Sequence, residues 1–384
     1  MLSAALSLAV LCACGISPAA GEGLLCRAAG VRADETFLTV DGQAVCAERY
    51  LYFLAEACDR ITDCYQDEGL EPDWSAQMGQ QTLAQYAAEQ AVRTAALYAQ
   101  VEAWGTRYDC SISEDERAAA QALWQPDDAG DGAQRAQRLA YMGVDEAFAQ
   151  ALSEDYYLYA RLYRLSRTEG SELNPGAAAL ETWGQSRGMC TVRTLCLPAP
   201  DGEDAAARET RRATAENLSK QLQLHEDPEE AFSALGKQAG AAEEMKTFVP
   251  GSSGLPAEVE AAALTLSEGA LSPVIETESG CWLVLRGPLD QEAAAAAWFD
   301  DRLQAAADTA QIQRSAALEK LNTREFYETL CTLRARTEPA DHAADSGAGS
   351  GEASGSAEVS ASDGADSPAQ GTVINLPDGN QQNA

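Results

Sequence analysis

Apolar residues recur with helical spacing through much of the first half of the chain. The segment TFLTVDGQAVC precedes this pattern and predicts a short strand that ends in a turn at Asp41-Gly42. The next apolar positions fall on one face of an amphipathic helix, and its defining residues are Tyr50, Phe53, Leu54 and Ala57. A second long helix is predicted over LAQYAAEQAVRTAALYAQVEAWG, with its end at Gly105.

Two further helices are predicted before residue 166. Ser113 is followed by three acidic residues, which is typical of an N-cap and a favourable first turn. Residues 141–165 are predicted to form one helix that carries tyrosines at helical spacing, namely Tyr156, Tyr157, Tyr159 and Tyr163. Such a stripe is more often core packing than a ligand site, and we interpret it as packing.

The pattern changes over residues 189–287. MCTVRTLCLPAP, MKTFVPG and LSPVIETESGCWLVLRG have strand character, the last as a hairpin that turns at Glu278-Ser279-Gly280. Helical segments separate them, so the predicted order is β-α-α-β-α-β-β. Residues 291–335 return to helix. Residues 337–384 are rich in Ser, Gly, Ala and Asp with almost no large apolar side chains, and we predict that they are disordered.

The charge of the chain restricts its partners. The formal net charge is −33, and the isoelectric point calculated from the sequence is about 4.3. Such a surface repels nucleic acid and anionic lipid headgroups, so neither is an expected partner. Basic polypeptides are compatible with it.

The N-terminus predicts export. Residues 1–14 read MLSAALSLAVLCAC, an apolar run too short to span a bilayer and of the length of a signal-peptide core. Leu11-Cys12-Ala13-Cys14-Gly15 resembles the bacterial lipobox, which implies cleavage after residue 13 and lipidation of Cys14. The resemblance predicts an extracytoplasmic protein held at the membrane by acyl chains. No Lys or Arg precedes the run, so a buried N-terminal helix is the alternative.

The cysteines do not predict a metal site or a catalytic centre. Beyond Cys12 and Cys14, nine remain, at irregular spacing and without a CxxC motif. The chain has two histidines, His225 and His342. We therefore expect no zinc site and no cofactor, and we interpret most of the cysteines as small buried apolar residues, with room for one disulfide.

Several phrases of the middle region, in order, resemble parvulin-type prolyl isomerase domains. VRTLCL resembles a family strand of the form RHILV, and DPEEAFSALGKQAG resembles a family helix. LPAEVEAAALTLSEGALSPVIETESGCWLVLR follows a family phrase of helix, Leu-x-x-Gly, Ser-x-Pro-Val, turn glycine and final strand. TVDGQAVCAERYLYFL resembles the opening of PrsA-type and SurA-type foldases. The resemblance covers residues 36–335 and is strongest over 189–287.

The resemblance implies a catalytic chemistry from which this chain departs. Prolyl isomerisation must overcome an amide-rotation barrier of about 18–20 kcal/mol. The family uses two histidines for this, and the matching positions in this chain are Thr194 and Trp282. The loop that supplies an acidic or thiol residue is shortened to AGAAEEM, so no equivalent is assigned. The matching apolar pocket positions are Phe248, Leu255 and Leu264, for which ordinary core packing is the competing interpretation. Alternation along the strand predicts Thr194 and Cys196 on one face.

The expected fold class is α+β, a helical chaperone-like domain with an inserted parvulin-like domain of small antiparallel sheet and helices. The expected divisions are a signal peptide (1–13), a tether (14–34), a helical domain (35–175), a parvulin-like domain (187–289), completing helices (291–335) and a disordered tail (337–384). The expected clients are unfolded or folding exported polypeptides. Three hypotheses stay open: a foldase enzyme, a non-catalytic chaperone or scaffold that uses the fold to bind clients, and a plain structural lipoprotein.

Overall fold

The computed structural model describes residues 23–124, 132–225 and 228–337. The predicted signal peptide, Cys14 and the predicted tail beyond Thr337 lie outside these residues. The chain divides into two compact units, Met1–Leu162 with Arg302–Ala384, and Tyr163–Asp301. The second unit therefore extends beyond the predicted range 187–289 at both ends. The fold is helix-rich with small antiparallel sheets.

Helices predominate along the chain, and most of the strands are short. The helices are α1 (Leu24–Ala29), α2 (Ala47–Asp67), α3 (Leu83–Arg107), α4 (Glu114–Ala122), α5 (Gly132–Met142), α6 (Glu146–Ser166), α7 (Ala177–Ser186), α8 (Ala205–Leu224), α9 (Pro228–Ala239), α10 (Ala257–Thr265), α11 (Gln291–Thr309), α12 (Ala316–Glu319) and α13 (Thr323–Thr337). The strands are β1 (Thr36–Val40), β2 (Gln43–Cys46), β3 (Gln77–Met78), β4 (Gln81–Thr82), β5 (Cys190–Pro198), β6 (Ala242–Phe248), β7 (Ile275–Thr277), β8 (Gly280–Arg286) and β9 (Ile312–Arg314).

The first unit begins with the predicted strand and turn. Strands β1 and β2 pair antiparallel, and Asp41 and Gly42 both have positive φ, at 49° and 86°. Two positive φ values are what a two-residue hairpin turn of the favoured hand requires, and Asp-Gly tolerates them. Helix α2 follows at once and buries Tyr50, Phe53 and Leu54, so the predicted amphipathic helix is confirmed.

The prediction of continuous helix over residues 291–335 is wrong at one point. Residues 312–314 form β9, which pairs antiparallel with β1 from Leu38↔Arg314 to Val40↔Ile312. The Gln311 N–H also donates to Asp41 Oδ1 at 2.9 Å. This pairing gives the second edge of β1 hydrogen-bond partners that it would otherwise lack.

Helix α3 does not end at Gly105, contrary to the prediction. It continues to Arg107, and Gly105 is buried where a Cβ would lie 3.0 Å from Leu158 Cδ2 and 3.1 Å from the Cys110 carbonyl oxygen. The glycine therefore permits a close approach between elements and is not a helix stop. The predicted cap of α4 is confirmed, because Ser113 and Glu116 form a reciprocal capping box.

The single helix predicted over residues 141–165 is two helices. Gly143 has a φ of 76° and ends α5, and Asp145 Oδ1 accepts from the Phe148 N–H at 2.8 Å as α6 begins. The interpretation of the tyrosine stripe as core is also wrong in part, because Tyr156 is exposed. Leu162 is the fully buried residue of this face.

The predicted tether is corrected from residue 24 onward. Residues 24–29 form α1, in which Leu25 and Cys26 are buried, and α1 packs against α2 and α13. Helix α13 is fixed to α2 by polar contacts, because the Arg334 guanidinium donates to both oxygens of Asp59 at 2.8 and 3.0 Å. Burial of apolar side chains such as Leu25 favours an ordered helix in this segment over a free linker.

The second unit contains a four-stranded antiparallel sheet in the order β6-β5-β8-β7. The predicted order of strands and helices over residues 189–287 is confirmed. The strand predicted over MKTFVPG is longer than expected, because β6 begins at Ala242. The residues that we assigned to a shortened loop, AGAAEEM, are therefore mostly strand.

Each face of this sheet is covered by helix. On one face Leu195, Leu283 and Leu285 form a core with helices α8 and α9, through Leu218 and Phe232. On the other face the sheet packs on α10, and its core comprises Cys190, Val192, Phe248, Val259, Ala263 and Val284. We call the second the α10 face. The alternation of the strands decides which residues reach it.

The nine described cysteines are all free thiols. Four of them are buried, namely Cys26, Cys58, Cys190 and Cys281, so the interpretation of most cysteines as buried is wrong. Cys64 and Cys331 are exposed. Among the described helices, none combines the length and the apolar character that crossing a membrane demands.

Candidate functional site

Thr194 and Trp282, the two positions that the sequence resemblance aligned with the parvulin histidines, lie on the α10 face. Thr194 is paired with Val284, and Cys196 is paired with Trp282 directly across β5 and β8. Thr194 and Cys196 share a face, as strand alternation predicts, and residues opposite each other in an antiparallel pair also share a face, so Trp282 is their neighbour. The sheet thus brings together the three residues that sequence reasoning placed at this centre.

Thr194 has no exposed polar atom. Its relative exposure is 0%, and its hydroxyl donates to the Glu244 carbonyl oxygen of β6 at 3.3 Å. The hydrogen bond satisfies a hydroxyl that would otherwise be buried without a partner. A side chain in this state contributes to the sheet and does not present a donor or acceptor to a bound amide.

Trp282 is half-buried and held at the hairpin. Its indole N–H lies 3.1 Å from Thr277 Oγ1 and 3.3 Å from Ser279 Oγ, and it donates to these hydroxyls. Its ring packs against the cluster that contains Phe248 and Val284. The residues that fix the ring, Thr277 and Ser279, were missed by sequence reasoning. The only local signal was the Ser-Gly pair that ends the turn.

Two of the three predicted pocket residues, Phe248 and Leu255, are brought together, and Leu264 is not. Phe248 is 5% exposed beneath α10, and Leu255 is partly buried against the same cluster. Leu264 is 38% exposed. Val259 and Ala263 are four residues apart and face the sheet, so Leu264, one residue further, is turned by about 100° away from it. Phe248 thus lies in ordinary core packing, which was the competing interpretation of this residue.

The thiols near this centre are poorly suited to act as nucleophiles. Burial raises the pKa of Cys196 above its ordinary value. Burial also raises the pKa of Cys190, although the Arg286 guanidinium that contacts its Sγ opposes the shift. The raised pKa values keep both thiols protonated near neutral pH. Because the thiolate is the reactive form, neither side chain is activated as a nucleophile.

No imidazole lies at the α10 face among the described residues. His225 is the C-cap residue of α8, and its side chain is exposed. Helix α8 packs on the opposite face of the sheet. The surroundings of Thr194 and Trp282 therefore contain no histidine among the described residues, in line with the two substitutions noted in the sequence. His225 is the one histidine among the described residues, and it lies away from Thr194 and Trp282.

Comparisons with known proteins give a structural similarity alone. No protein-family model matches the chain, and no curated protein matches its sequence. The chain is similar to PrsA from Bacillus subtilis, with 10% identity, a TM-score of 0.23 and coverage of 80% of this chain and 94% of that one.

Two further solved structures are similar in the same way. Foldase protein PrsA from Streptococcus pneumoniae has 14% identity, a TM-score of 0.26 and coverage of 70% and 95% of the two chains. A SurA-like chaperone of Campylobacter jejuni has 10% identity, a TM-score of 0.21 and coverage of 73% and 99%. The chain is thus similar to solved structures of PrsA-type and SurA-like foldases.

Proposed function

We propose that this chain is an extracytoplasmic folding factor that binds unfolded or folding exported polypeptides, and that its second unit is a degenerate parvulin-like domain. One observation carries the proposal: the antiparallel order β6-β5-β8-β7 gathers Thr194, Cys196 and Trp282 on one face. The phrases that resemble the parvulin family occur along these same strands, in the same order. The fold alone does not dictate function, so the proposal depends on this particular face.

The isomerase activity of the domain is weak or lost. An efficient catalyst must stabilise a twisted amide against a barrier of about 18–20 kcal/mol, and the family does so with polar side chains. In this chain the Thr194 hydroxyl is occupied by a backbone carbonyl, and an indole stands at the second histidine position. Among the described residues at this face, desolvation beside Trp282 is the means that remains of favouring the less polar twisted state.

Client binding uses the exposed apolar edge of the α10 face. Trp282 and Leu255 are partly exposed and belong to one cluster on this face. Apolar surface with a few polar groups at its edge is the usual composition of a peptide-binding site. The hydroxyls of Thr277 and Ser279 supply those polar groups.

The same proposal includes a location. Cys14 carries the lipid that holds the protein at the membrane on its extracytoplasmic side. Replacement of Cys14 by Ser should abolish incorporation of labelled palmitate in a bacterial host and release the protein from the membrane fraction. Retention of the label in C14S would contradict the lipid anchor and leave the folding role untouched.

The decisive experiment measures cis/trans exchange of a short proline peptide by NMR, with and without the full chain. We expect shift changes that report binding, together with an exchange rate raised less than twofold. Trp282→Ala should reduce the shift changes. Trp183→Ala is the matched control, since Trp183 is a partly exposed indole of the same unit that lies outside the α10 cluster.

The outcomes separate the hypotheses. Strong acceleration that W282A removes would show that an isomerase survives without histidines and would overturn the proposed loss of activity. Binding without acceleration supports the proposal in its non-catalytic form. Absence of binding by the wild-type chain would reject the α10 face as a client site.

A further inference from the structure

The sheet of the second unit has one long edge. Strand β6 lies at the end of the order β6-β5-β8-β7, and its 7 residues pair with β5 without a break in register, from Cys190↔Phe248 to Cys196↔Ala242. The opposite edge is formed by β7, which has 3 residues. A long edge strand without a bulge or a proline presents a row of backbone groups to which a further strand can pair.

The hydrogen bonds of the sheet show which backbone groups of β6 point outward. On β8, Val284 bonds away from β5, because the Ser272 N–H donates to its carbonyl oxygen at 2.8 Å and its own N–H donates to Ser272 Oγ at 2.9 Å. Thr194 lies opposite Val284 and therefore bonds to Glu244 on β6, since successive residues of a central strand bond to alternate sides. The N–H and C=O groups of the alternate β6 residues point out of the sheet and have no partner among the described residues. These residues are Glu243, Met245 and Thr247.

Two opposite charges flank the centre of this edge. Glu244 and Lys246 lie on the α10 face of β6, and Lys246 Nζ is 3.2 Å from a carboxylate oxygen of Glu244. Nζ also donates to the Ser253 carbonyl oxygen at 3.0 Å, so two of the three donors of the ammonium group are used. Met245 lies between the two charges, on the other face of the strand, and is 63% exposed.

Charge selects one register for the pairing of β6 with a second copy of itself. A two-fold axis at Met245 places Glu244 of each copy opposite Lys246 of the other copy. An axis at Glu244 or at Lys246 would place like charges directly opposite each other, which is destabilising. An axis at Glu243 would oppose two carboxylates, whereas the axis at Met245 places Glu243 opposite the uncharged Thr247.

The backbone favours the same register. Because the N–H and C=O of Met245 point outward, the two Met245 residues face each other as a hydrogen-bonded pair. Glu244 and Lys246 then form a pair without backbone hydrogen bonds, in which the Cα atoms are about 4.5 Å apart and the side chains are closest. Together with the ion pair within each strand, four charges alternate in sign around a square, and such a network is more favourable than an isolated surface pair.

We propose that the β6 edge is a dimer interface, at which a second copy of this chain pairs antiparallel about Met245 and continues the sheet. The contact uses the same surface on both copies, so it closes as a dimer and does not propagate into a fibre. One edge-to-edge pairing is a small interface, and we expect a Kd of the order of 10–100 μM. The net charge of −33 opposes association, so the dimer should form at physiological ionic strength, where repulsion is screened beyond about 8 Å.

The test is sedimentation equilibrium of the full chain with Cys14→Ser, over concentrations of about 5 to 500 μM that bracket this Kd. Cys14→Ser removes any acyl chain, and a thiol reductant prevents disulfides between the exposed Cys64 and Cys331 of different copies. Lys246→Glu and Glu244→Lys should each weaken the dimer about tenfold or more, because each turns two attractive cross-strand contacts into repulsive ones.

The matched control is Glu278→Lys. Glu278 is exposed in the turn between β7 and β8, and E278K changes the net charge by the same amount as E244K. It should not weaken the dimer. Met245→Pro removes the N–H of the central pair at a position where this group points out of the monomer's own sheet, so the dimer should be lost while the fold is retained.

Exchange of the two charges tests the register itself. The double variant E244K/K246E restores the alternation of sign, and its dimer should be as strong as that of the wild type. An equimolar mixture of E244K and K246E should form a heterodimer at concentrations where each variant alone is a monomer. A variant that had merely misfolded would not be rescued by either combination.

Each contrary result has a stated meaning. A wild-type chain that stays monomeric over the whole range overturns the interface, and so does a dimer that K246E and E244K leave unchanged. Dimerisation only after removal of residues 338–384 would assign the edge to the tail, and NMR shifts confined to β6 on addition of acetyl-Lys-Thr-Val-Thr-Val-Lys-amide to a monomeric chain would assign it to a client strand. Either result overturns the second copy as the occupant. Trp282→Ala should leave the dimer unchanged, so failure of this interface and failure of the proposed client site are measured separately.

Discussion

The two units each contain a partly buried arginine that joins several elements, and the two arginines differ in their partners. Arg49 in the first unit is bound by two carboxylates, Glu102 and Asp155. Arg193 in the second unit is bound by one carboxylate, Glu243, and also donates to the Glu229 carbonyl oxygen at 2.8 Å and to Ser233 Oγ. The side chain of Arg193 is 19% exposed, close to the value for Arg49.

The difference appears in the carboxyl pKa values, which move in opposite directions. Burial raises the pKa of Asp155, and one guanidinium shared with Glu102 does not offset it. Burial also acts on Glu243, but hydrogen bonds from Ser233 and Arg193 outweigh it and lower the pKa below its ordinary value. In the second unit one guanidinium is therefore paired with one carboxylate, whereas in the first unit two carboxylates share one guanidinium. The deeper burial of Asp155 is the main cause of the difference, and the second carboxylate on Arg49 adds to it.

The largest effect is expected from Arg49→Met. The change leaves Glu102 and Asp155 facing each other with no cation, and removing one partner from a buried ion cluster costs about 3–5 kcal/mol. The free energy of unfolding from urea titration at pH 7 measures the loss. Arg60→Met in the same helix is the control, because Arg60 is exposed and a surface charge contributes about 1 kcal/mol or less. Equal losses for the two variants would contradict the special role of Arg49.

A pH series should give the next largest effect. The pKa of Asp155 in the folded chain, about 7, lies above its ordinary value of 3.8, so the folded state binds more protons in this interval. The contribution of Asp155 to the free energy of unfolding therefore falls as pH rises from about 4 to about 7. Relative to wild type, Asp155→Asn should lose this decline, a difference of up to about 4 kcal/mol across the interval, since each pKa unit corresponds to about 1.4 kcal/mol.

The matched variant for that series is Glu243→Gln. Because the pKa of Glu243 is lowered, its contribution to stability is present above its unfolded value of 4.5 and is lost as pH falls below it. E243Q should therefore change how the free energy of unfolding varies with pH below about 4.5, and leave its variation between pH 5 and 8 as in wild type. Unfolding in urea at pH 3, 4, 5, 6, 7 and 8 covers both pH ranges. A steeper decline in D155N than in wild type would show that the sign assigned to Asp155 is wrong.

A smaller loss is expected from Arg193→Met, of about 1–2 kcal/mol. The side chain of Glu243 is 31% exposed and regains water when its partner is removed, and the Met side chain retains contact with Phe232. Urea unfolding at pH 7 is again the measurement. A loss equal to that of R49M would mean that the count of carboxylates does not distinguish the two joints.

The elements that were predicted correctly from the sequence are determined by residues that lie close together in the chain. The hairpin at Asp41-Gly42 and the cap at Ser113 depend on residues within four positions of each other. Strand β9 depends instead on pairing with β1, and Gln311 meets Asp41 across 270 positions. Nothing in Ile312-Gln313-Arg314 by itself distinguishes a strand from the helices around it.

The candidate sites follow the same rule. Strand alternation was sufficient to place Thr194 and Cys196 on one face, whereas the position of Trp282 opposite Cys196 depends on the register between β5 and β8. It did not show that Leu264 points away from that face, because this depends on how α10 rotates to bury Ala263. The ion cluster around Arg49 was missed entirely. Arg49 contacts Glu102 and Asp155, which lie 53 and 106 positions away, and a charged residue on an amphipathic helix is usually solvated.

Arg193→Lys isolates the contribution of guanidinium geometry from that of charge. Nε and Nη2 of Arg193 both donate to Glu243 Oε1, and the guanidinium lies 5.1 Å from the centre of the Phe232 ring. A lysine keeps the positive charge but has no second donor in this plane and no flat group to stack. We expect a loss of about 0.5–1 kcal/mol in urea at pH 7, with the acid limb of the pH series retained because Glu243 keeps a cation. A loss as large as that of R193M would show that hydrogen-bond geometry and stacking, rather than the balanced charge, stabilise this joint. The comparison between the two units would then depend on donor geometry and not on the number of carboxylates.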